Sequence, residues 1–194
     1  MGHKKRKTIK YILIVVAVLA LVVGCTLRIA YINVLYPNAE VQQYRLNEPF
    51  TWRGFEVTIK RYQILTVPEI KEYIQGFDVT YVDAQGNDKD ERILLVEVAL
   101  KNISEEESYF SAGSCNLHSG AYAQSLSMTY YKNFNSIQSD VYVLGVAPGE
   151  STTVHLPFHI FSTQFSDNAW EGIDTRTFEL VFSLYPINRV VTLK

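Results

Sequence analysis

Residues 93–102 read ILLVEVALKN, and this stretch decides what kind of fold the chain adopts. Its apolar residues run almost without interruption from Ile93 to Leu100, which is typical of a strand buried in the middle of a sheet. The charged turn Ser104–Ser108 follows it. We therefore predict a central β-strand here, beside which the other strands of the domain assemble.

Stretches on both sides of this strand alternate apolar and polar residues with the period of two that a half-buried strand requires. Phe55–Lys60 alternates in this way, and the phase shift before Tyr62 predicts a β-bulge near Arg61. Pro157 lies inside a later alternating stretch, which predicts a sheet edge or a bulge because proline cannot donate a ladder hydrogen bond. Further candidate strands are residues 77–82, 109–110, 121–128, 141–144, 151–161, 177–184 and 190–193.

Only Pro68–Ile74 resembles a helix after residue 40, with proline in the first turn and acidic residues near its start. Roughly seven or eight short strands without strong helices favour an all-β fold, an antiparallel β-sandwich. The chain shows no internal repeat and no low-complexity linker. We predict that residues 37–194 form one domain.

A second stretch, Ile9–Leu27, reads IKYILIVVAVLALVVGCTL and follows a cluster of basic residues at positions 4–7. As a helix it spans roughly 28 Å, close to the hydrocarbon thickness of a bilayer. The basic residues favour a cytoplasmic N-terminus by the positive-inside rule. We predict a cytoplasmic tail (residues 1–8), a transmembrane anchor helix (9–36) and an extracellular domain (37–194).

Two alternatives for this segment stay open. Val22–Cys25 resembles the lipobox of bacterial lipoproteins, in which Cys25 would carry the lipid and become the mature N-terminus. A cleaved secretory signal is the other alternative, although the segment lacks an A-x-A-like cleavage site. All three interpretations place the residues after about Glu40 outside the cytoplasm.

Charge and cysteine content restrict the function of the exported part. From Glu40 onward the chain holds 12 basic and 20 acidic residues, a net charge of −8. This balance argues against nucleic acid as a partner and against adhesion to anionic lipid heads. Cys115 is the single cysteine there, so no disulfide can form within the domain, and we expect a buried thiol.

No pattern of catalytic or metal-binding residues stands out. His155 and His159 would lie about 13 Å apart along a strand, too far for one metal ion. Asp83–Glu91 clusters oxygen ligands but lacks the calcium-loop spacing, and Cys115 with His118 does not form a triad arrangement. We expect no catalytic residue, no metal and no cofactor, and therefore not an enzyme. The sequon Asn102–Ser104 is interpreted as the end of a strand.

Aromatic residues concentrate in a polar stretch after residue 121. On polar loops such rings can stack on sugars or anchor a protein contact, and the alternative is that they cap the ends of the core. The candidate interaction surface consists of Tyr122, Tyr130, Tyr131, Phe134 and Trp170, with Tyr142 nearby.

The order of turns and strands resembles one known type of domain. Asn47–Phe50 precedes an alternating strand, the strand 93–102 ends in asparagine, and Ala147–Glu150 forms a turn before a paired strand. This pattern is similar to membrane-anchored immunoglobulin-like domains of unknown function on the surface of Gram-positive bacteria. The resemblance implies an immunoglobulin-like sandwich and no catalytic residues.

Two functions are consistent with these observations. The first is a binding or protein-interaction module, attached to the membrane through residues 9–27, that contacts another surface protein or a cell-wall component. The second is a structural or accessory subunit of a membrane complex, or a lipoprotein anchored through Cys25.

Overall fold

The computed structural model of the protein describes residues 2–74, 90–135 and 143–194. The candidate strand 77–82, most of the acidic loop 83–91 and Tyr142 lie outside the described residues. The chain divides into two units, Met1–Ala39 and Glu40–Lys194.

The first unit is one helix, α1 (Gly2–Leu35). Its segment Tyr11–Leu35 has a mean hydropathy of 2.8 over its most apolar window and is the one helix among the described residues long and apolar enough to cross a membrane. Its apolar side chains are exposed, and Cys25 is an exposed residue within the helix. A membrane anchor and a signal sequence both have these properties.

The second unit is built mainly of strands. Within the described residues these are β1 (Glu40–Tyr44), β2 (Phe50–Trp52), β3 (Phe55–Leu65), β4 (Glu91–Asn102), β5 (Ser108–Ser111), β6 (Asn116–Ser119), β7 (Tyr122–Ser125), β8 (Val143–Val146), β9 (Ser151–Phe161), β10 (Phe178–Ser183) and β11 (Ile187–Leu193). The helices are α2 (Val67–Tyr73), α3 (Met128–Asn135) and α4 (Asp167–Glu171), with short 3-10 turns at Ala112–Ser114, Ser162–Gln164 and Ile173–Thr175.

The strands form a sandwich of two main sheets. One is four-stranded and antiparallel, in the order β2-β3-β4-β9, and the other is five-stranded, in the order β1-β11-β10-β6-β7. β5 and β8 pair as a separate ribbon. The predicted antiparallel sandwich has one exception among the described strand pairs, because β1 pairs in parallel with β11. β1 reads EVQQY and lies at a sheet edge, so its mostly polar sequence gives little sign of a strand.

The main core lies between the two sheets, and β4 contributes to it along its length. Leu94, Val96, Val98 and Leu100 point into this core. Ile93 and Leu95 point to the opposite face, where they form a second apolar cluster with α2 and α3. The nearly continuous apolar sequence of β4 is therefore explained by burial on both faces.

Local signals in the sequence are confirmed in detail. The β3–β4 register shifts between Ile59 and Arg61, where the bulge was predicted. Pro157 lies in β9, which is the edge strand of its sheet. The helix-like insert corresponds to α2, with proline in its first turn.

Helix α3 was not predicted, because it lies in the stretch interpreted as short strands and loops. Its last residue protects the edge of β9. The side chain of Asn135 accepts a hydrogen bond from the backbone N–H of His155 at 2.8 Å and donates one to the carbonyl of His155 at 2.7 Å. A side-chain amide thus takes the place of a neighbouring strand at His155, and the backbone N–H of Ser127 donates to the Pro157 carbonyl of the same strand at 2.9 Å.

Asn102, at the end of β4, joins several turns through one buried side chain. Its Nδ2 donates to the carbonyls of Val146 at 2.7 Å and Glu106 at 2.8 Å, and its Oδ1 accepts from the Ser104 backbone N–H at 2.9 Å. Asn102 is completely buried. Loss of this amide leaves buried polar groups without partners, which is the costly kind of hydrogen-bond deletion.

We predict that Asn102→Ala lowers the free energy of unfolding of the Glu40–Lys194 unit by about 2–4 kcal/mol. In thermal denaturation this corresponds to a fall in Tm of about 5–15 °C at this domain size. Asn168→Ala, an exposed position on α4, is the matched control and should change stability by less than about 0.5 kcal/mol. Equal melting temperatures for both variants would contradict the role assigned to Asn102.

Candidate functional site

The structure divides the candidate aromatic surface into two groups. Tyr131 is completely buried in the main core, and Tyr130 and Phe134 belong to the second apolar cluster beneath α3. These three rings therefore pack inside the domain: Tyr131 in the main core, and Tyr130 and Phe134 with Ile93 and Leu95 on the opposite face of β4. Tyr122 and Trp170 are half-buried and lie elsewhere, on either side of Phe165.

Tyr122, Phe165 and Trp170 form a row of rings at one side of the sandwich. The ring centroids of Tyr122 and Phe165 are 4.7 Å apart, and those of Phe165 and Trp170 are 6.0 Å apart. Tyr122 comes from β7, whereas the other two rings come from the segment after β9. Between β7 and this segment lies an open groove of about 520 Å³. Its walls are formed by Ala121, Tyr122, Ala123, Gln164, Phe165, Ser166, Ala169 and Arg176.

Gln164 holds the two walls of the groove together. Its Oε1 accepts hydrogen bonds from the backbone N–H of Phe161 at 2.9 Å and from the Tyr122 hydroxyl at 3.3 Å. Its Nε2 donates to Oε1 of Gln124 at 3.2 Å. One side chain from the turn after β9 is thus bonded to two residues of β7, and the groove has a fixed width at this point.

Arg176 provides the charge in the groove. Its guanidinium carbon lies 5.3 Å from the centroid of the Phe165 ring. Its Nε donates to the Ser119 hydroxyl at 2.7 Å, and Nη2 donates to the Ser119 carbonyl at 3.1 Å. In the described part of the chain, Arg176 forms no ion pair.

The electrostatic effect of this arrangement extends to Tyr122. Burial raises the pKa of the Tyr122 hydroxyl, and the charge of Arg176 acts in the opposite direction. The hydroxyl therefore stays protonated at neutral pH, as the donor to Gln164. The groove presents aromatic ring surface and the cation of Arg176, which has no carboxylate partner among the described residues. This combination suits anionic, partly apolar ligands.

Trp170 faces a different set of partners at the end of the groove. Its Nε1 donates to Oδ2 of Asp90 at 2.8 Å, and the guanidinium of Arg92 lies 5.4 Å from its ring centroid. Arg92 is neutralised by Asp90 at 2.7 Å and by Asp174 at 3.2 Å. The charge of Arg92 is thus compensated within the cluster, so we do not assign the cluster a ligand.

The histidines lie in separate environments. His159 is buried against Glu91, with its Nε2 hydrogen-bonded to Oε2 of that carboxylate. The other carboxylate oxygen, Oε1, is buried and has no hydrogen-bond partner. His155 lies 3.9 Å from Glu97 on a more exposed part of the same strand. No group of three potential metal ligands occurs among the residues that the structure describes.

Cys115 is completely buried in the main core, as expected for the lone thiol of the domain. Burial raises the pKa of its thiol to about 12, against a smaller opposing effect of a hydrogen bond with Ser114. A thiol with this pKa holds almost no thiolate at neutral pH and is a poor nucleophile.

Sequence reasoning missed the groove residues Gln164, Phe165 and Arg176. Phe165 stands in the stretch interpreted as a loop, and Arg176 lies two residues before the start of β10. No spacing between these residues and Tyr122 signals that they meet, because the contact depends on how the two sheets stack. The aromatic content of the loop after β9 was the one available signal.

A family model described as a domain of unknown function, DUF5028, matches residues 38–189. No curated protein matches the sequence significantly.

Solved structures similar to this one come from several bacteria. The yjhA protein of Bacillus subtilis is 14% identical, with 78% of this chain and 99% of that chain covered at a TM-score of 0.46. An uncharacterized beta-sandwich protein of Clostridium difficile is 12% identical, with 80% and 96% covered at a TM-score of 0.48. The secreted protein MPT63 of Mycobacterium tuberculosis is 9% identical, with 80% and 98% covered at a TM-score of 0.49.

We predict that Cys115 in the folded Glu40–Lys194 unit does not react with a thiol reagent such as iodoacetamide at pH 8. The thiol is enclosed and its raised pKa suppresses the thiolate. Mass spectrometry should show labelling only after denaturant is added. Rapid modification of the native domain would contradict the burial of this residue.

We predict that His159→Ala lowers the free energy of unfolding by about 3–5 kcal/mol, because it leaves the buried Glu91 carboxylate without its partner. The double variant Glu91→Leu with His159→Leu should regain much of this loss, since it removes both polar groups. Urea denaturation of the three proteins measures the difference. If the double variant is no more stable than His159→Ala, the lost stability does not come from leaving the Glu91 carboxylate without a partner.

Proposed function

The chain belongs to the DUF5028 family, whose function is unknown, and on this premise we propose that it is a membrane-anchored binding module and not an enzyme. The observation that carries the proposal is the groove between β7 and residues 164–169, which combines the Tyr122 and Phe165 rings with the cation of Arg176. We refer to it as the Tyr122–Arg176 groove.

The chemistry of this groove favours binding over catalysis. It offers aromatic surface, one amide and a guanidinium held in place by Ser119 and Phe165. These groups recognise a ligand by shape, stacking and charge. The thiol of Cys115 is enclosed in the core and the imidazole of His159 is paired with Glu91, so neither is a group to which we assign a reaction.

The proposed location follows from the first unit of the chain. Tyr11–Leu35 serves as an uncleaved single-pass anchor, the basic residues before it stay in the cytoplasm, and the sandwich is displayed outside the cell. We further propose that the sandwich is immunoglobulin-like and that the protein acts at the surface of a Gram-positive bacterium. The resemblance of its turns and strand order to surface domains of that kind supports this proposal.

The partner of such a domain is another surface protein or a cell-wall component, and not nucleic acid. The net charge of −8 after Glu40 disfavours polyanions as whole ligands, while Arg176 provides a local site for a single anionic group. A scaffold subunit acting only through its helix would not need this groove.

The test is site-specific photocrosslinking of the full-length protein in intact cells of its host. Benzoylphenylalanine at Ser166, an exposed position in the groove wall, should give a discrete adduct. The same group at Glu56, an exposed position on β3, is the matched control and should not give that adduct. The adduct should also disappear when Arg176→Gln is combined with the Ser166 probe.

Identical adducts from both positions, or an adduct that is insensitive to Arg176→Gln, would overturn the assignment of the groove. Absence of any adduct from Ser166 in cells that display the folded domain would overturn the proposal of a binding module.

A further inference from the structure

We propose that the ligand of the Tyr122–Arg176 groove is an extended polypeptide segment with a carboxylate, which adds as a strand to the free edge of β7. The carboxylate is bound by Arg176. The inference rests on the proposed function, because it names the ligand class of the same groove.

β7 has an edge without a partner strand. It is the last strand in the order β1-β11-β10-β6-β7, so one side of it pairs with β6; the other side lines the groove at Tyr122 and Ala123, while the strand also lies close to β9. Residues 120–121 form a two-residue hairpin loop in which Gly120 has a φ of 62°. The pair that closes such a loop, Ser119 and Tyr122, exchanges hydrogen bonds across the hairpin.

The next pair, His118 and Ala123, is then the type of pair that does not exchange hydrogen bonds. The backbone N–H and C=O of Ala123 therefore point away from β6, toward the groove. No backbone hydrogen bond from another described residue reaches them. An extended polypeptide is the ligand that satisfies a donor and an acceptor spaced in this way, as in β-strand addition.

The guanidinium of Arg176 is used only in part by the described residues. Arginine has five N–H groups, and Ser119 accepts from two of the nitrogen atoms, Nε and Nη2. Nη1 has no acceptor among the described residues, and Arg176 lines the groove. A guanidinium held in one orientation with part of its donor edge open binds a carboxylate in a defined geometry.

Two other arginines of the domain, unlike Arg176, are paired with carboxylates of the same chain. Arg92 is neutralised by Asp90 and Asp174, and Arg61 is paired with Glu97 at 2.7 Å. Arg176 forms no such pair in the described part of a domain that is strongly acidic overall. Arg45, Arg53 and Arg189 also form no ion pair among the described residues, and Arg176 differs from them in lining the groove, where Ser119 holds its guanidinium.

Aromatic ring surface links β7 to Arg176. The Phe165 ring lies 4.7 Å from the ring of Tyr122 on β7 and 5.3 Å from the guanidinium carbon of Arg176, so a side chain of an added strand would pack against these rings. A sugar acid could use the rings and the cation, and its hydroxyls could reach the backbone of Ala123, but it does not offer a C=O and an N–H at the spacing of a neighbouring strand. A polypeptide uses all three features, and this decides the choice of ligand class.

The carboxylate can come from an acidic side chain or from a chain terminus. The test uses two libraries of acetylated random hexapeptides, one with a free C-terminal carboxylate and one with a C-terminal amide. Both are passed over the immobilised Glu40–Lys194 unit, which is compact and has its own core. Retained peptides are identified by mass spectrometry, and their affinities are measured by fluorescence anisotropy.

We expect retained peptides to contain a carboxylate. Enrichment of Asp or Glu in the amidated library would identify a side-chain carboxylate, and retention from the free-acid library alone would identify a terminal one. Arg176→Gln should lower the affinity for the retained peptides by about 10-fold or more, which is the usual contribution of a charged hydrogen bond. Arg61→Gln removes the same charge on another sheet and should leave the affinity unchanged.

A second variant tests whether the ligand pairs with the edge of β7. Ala123→Pro removes the outward N–H without removing a bond to β6, and should weaken binding by about three- to ten-fold. Ala123→Ser keeps the N–H and is the control. Circular dichroism and melting temperature establish that each variant is folded.

Retention of peptides without any carboxylate, or equal affinities for Ala123→Pro and Ala123→Ser, would overturn the inference. No retained peptide in either library would also overturn it. If the Ser166 crosslink is sensitive to Arg176→Gln and its adduct is a glycan, the inference fails and the proposed binding function stands. If no Ser166 adduct forms in cells, the proposed function itself fails.

Discussion

Burial of β4 on both faces is the constraint on which the rest of the domain depends. One face packs against the five-stranded sheet through residues such as Val96 and Val98, and the other presents Ile93 and Leu95. A strand that is apolar on both sides needs a cover on both sides, because exposed apolar surface of this size is unfavourable in water. Helices α2 and α3 are that second cover, and their position explains why Tyr130 lies inside the domain.

The same constraint shows which parts of the fold the sequence could predict. The bulge near Arg61 and the edge position of Pro157 are local properties, since they follow from the phase of alternation and from a missing N–H. The formation of β1 and α3 depends instead on contacts with parts of the chain that are distant in sequence. β1 is a polar edge strand held by β11, and α3 is a short helix held by the apolar face that it covers. The continuous apolar sequence of β4 already implied such a cover, but not which segment supplies it.

The candidate site was predictable only in part, for a related reason. Tyr122 and Trp170 were recognised as aromatic residues in polar surroundings, and the structure places both against Phe165. Arg176 has no signal of its own in the sequence. Whether its charge is compensated depends on its neighbours in the fold. These are Ser119 on β6 and the ring of Phe165 after β9, while the described carboxylates lie elsewhere. Charge compensation is a property of three-dimensional neighbours, and counting charges along the chain cannot distinguish Arg176 from Arg92.

The buried amide of Asn102 has a consequence for the choice of an expression host. Asn102, Ile103 and Ser104 form an acceptor sequence for N-linked oligosaccharide, and a eukaryotic secretory pathway modifies such sequences as the nascent chain enters the endoplasmic reticulum. In the folded domain both Nδ2 hydrogens are used and the side chain has no access to solvent. A sugar attached there before folding would occupy the space of the turn at Val146. Chains secreted from yeast or mammalian cells with a glycan at Asn102 would therefore be misfolded, whereas bacterial export leaves the asparagine unmodified.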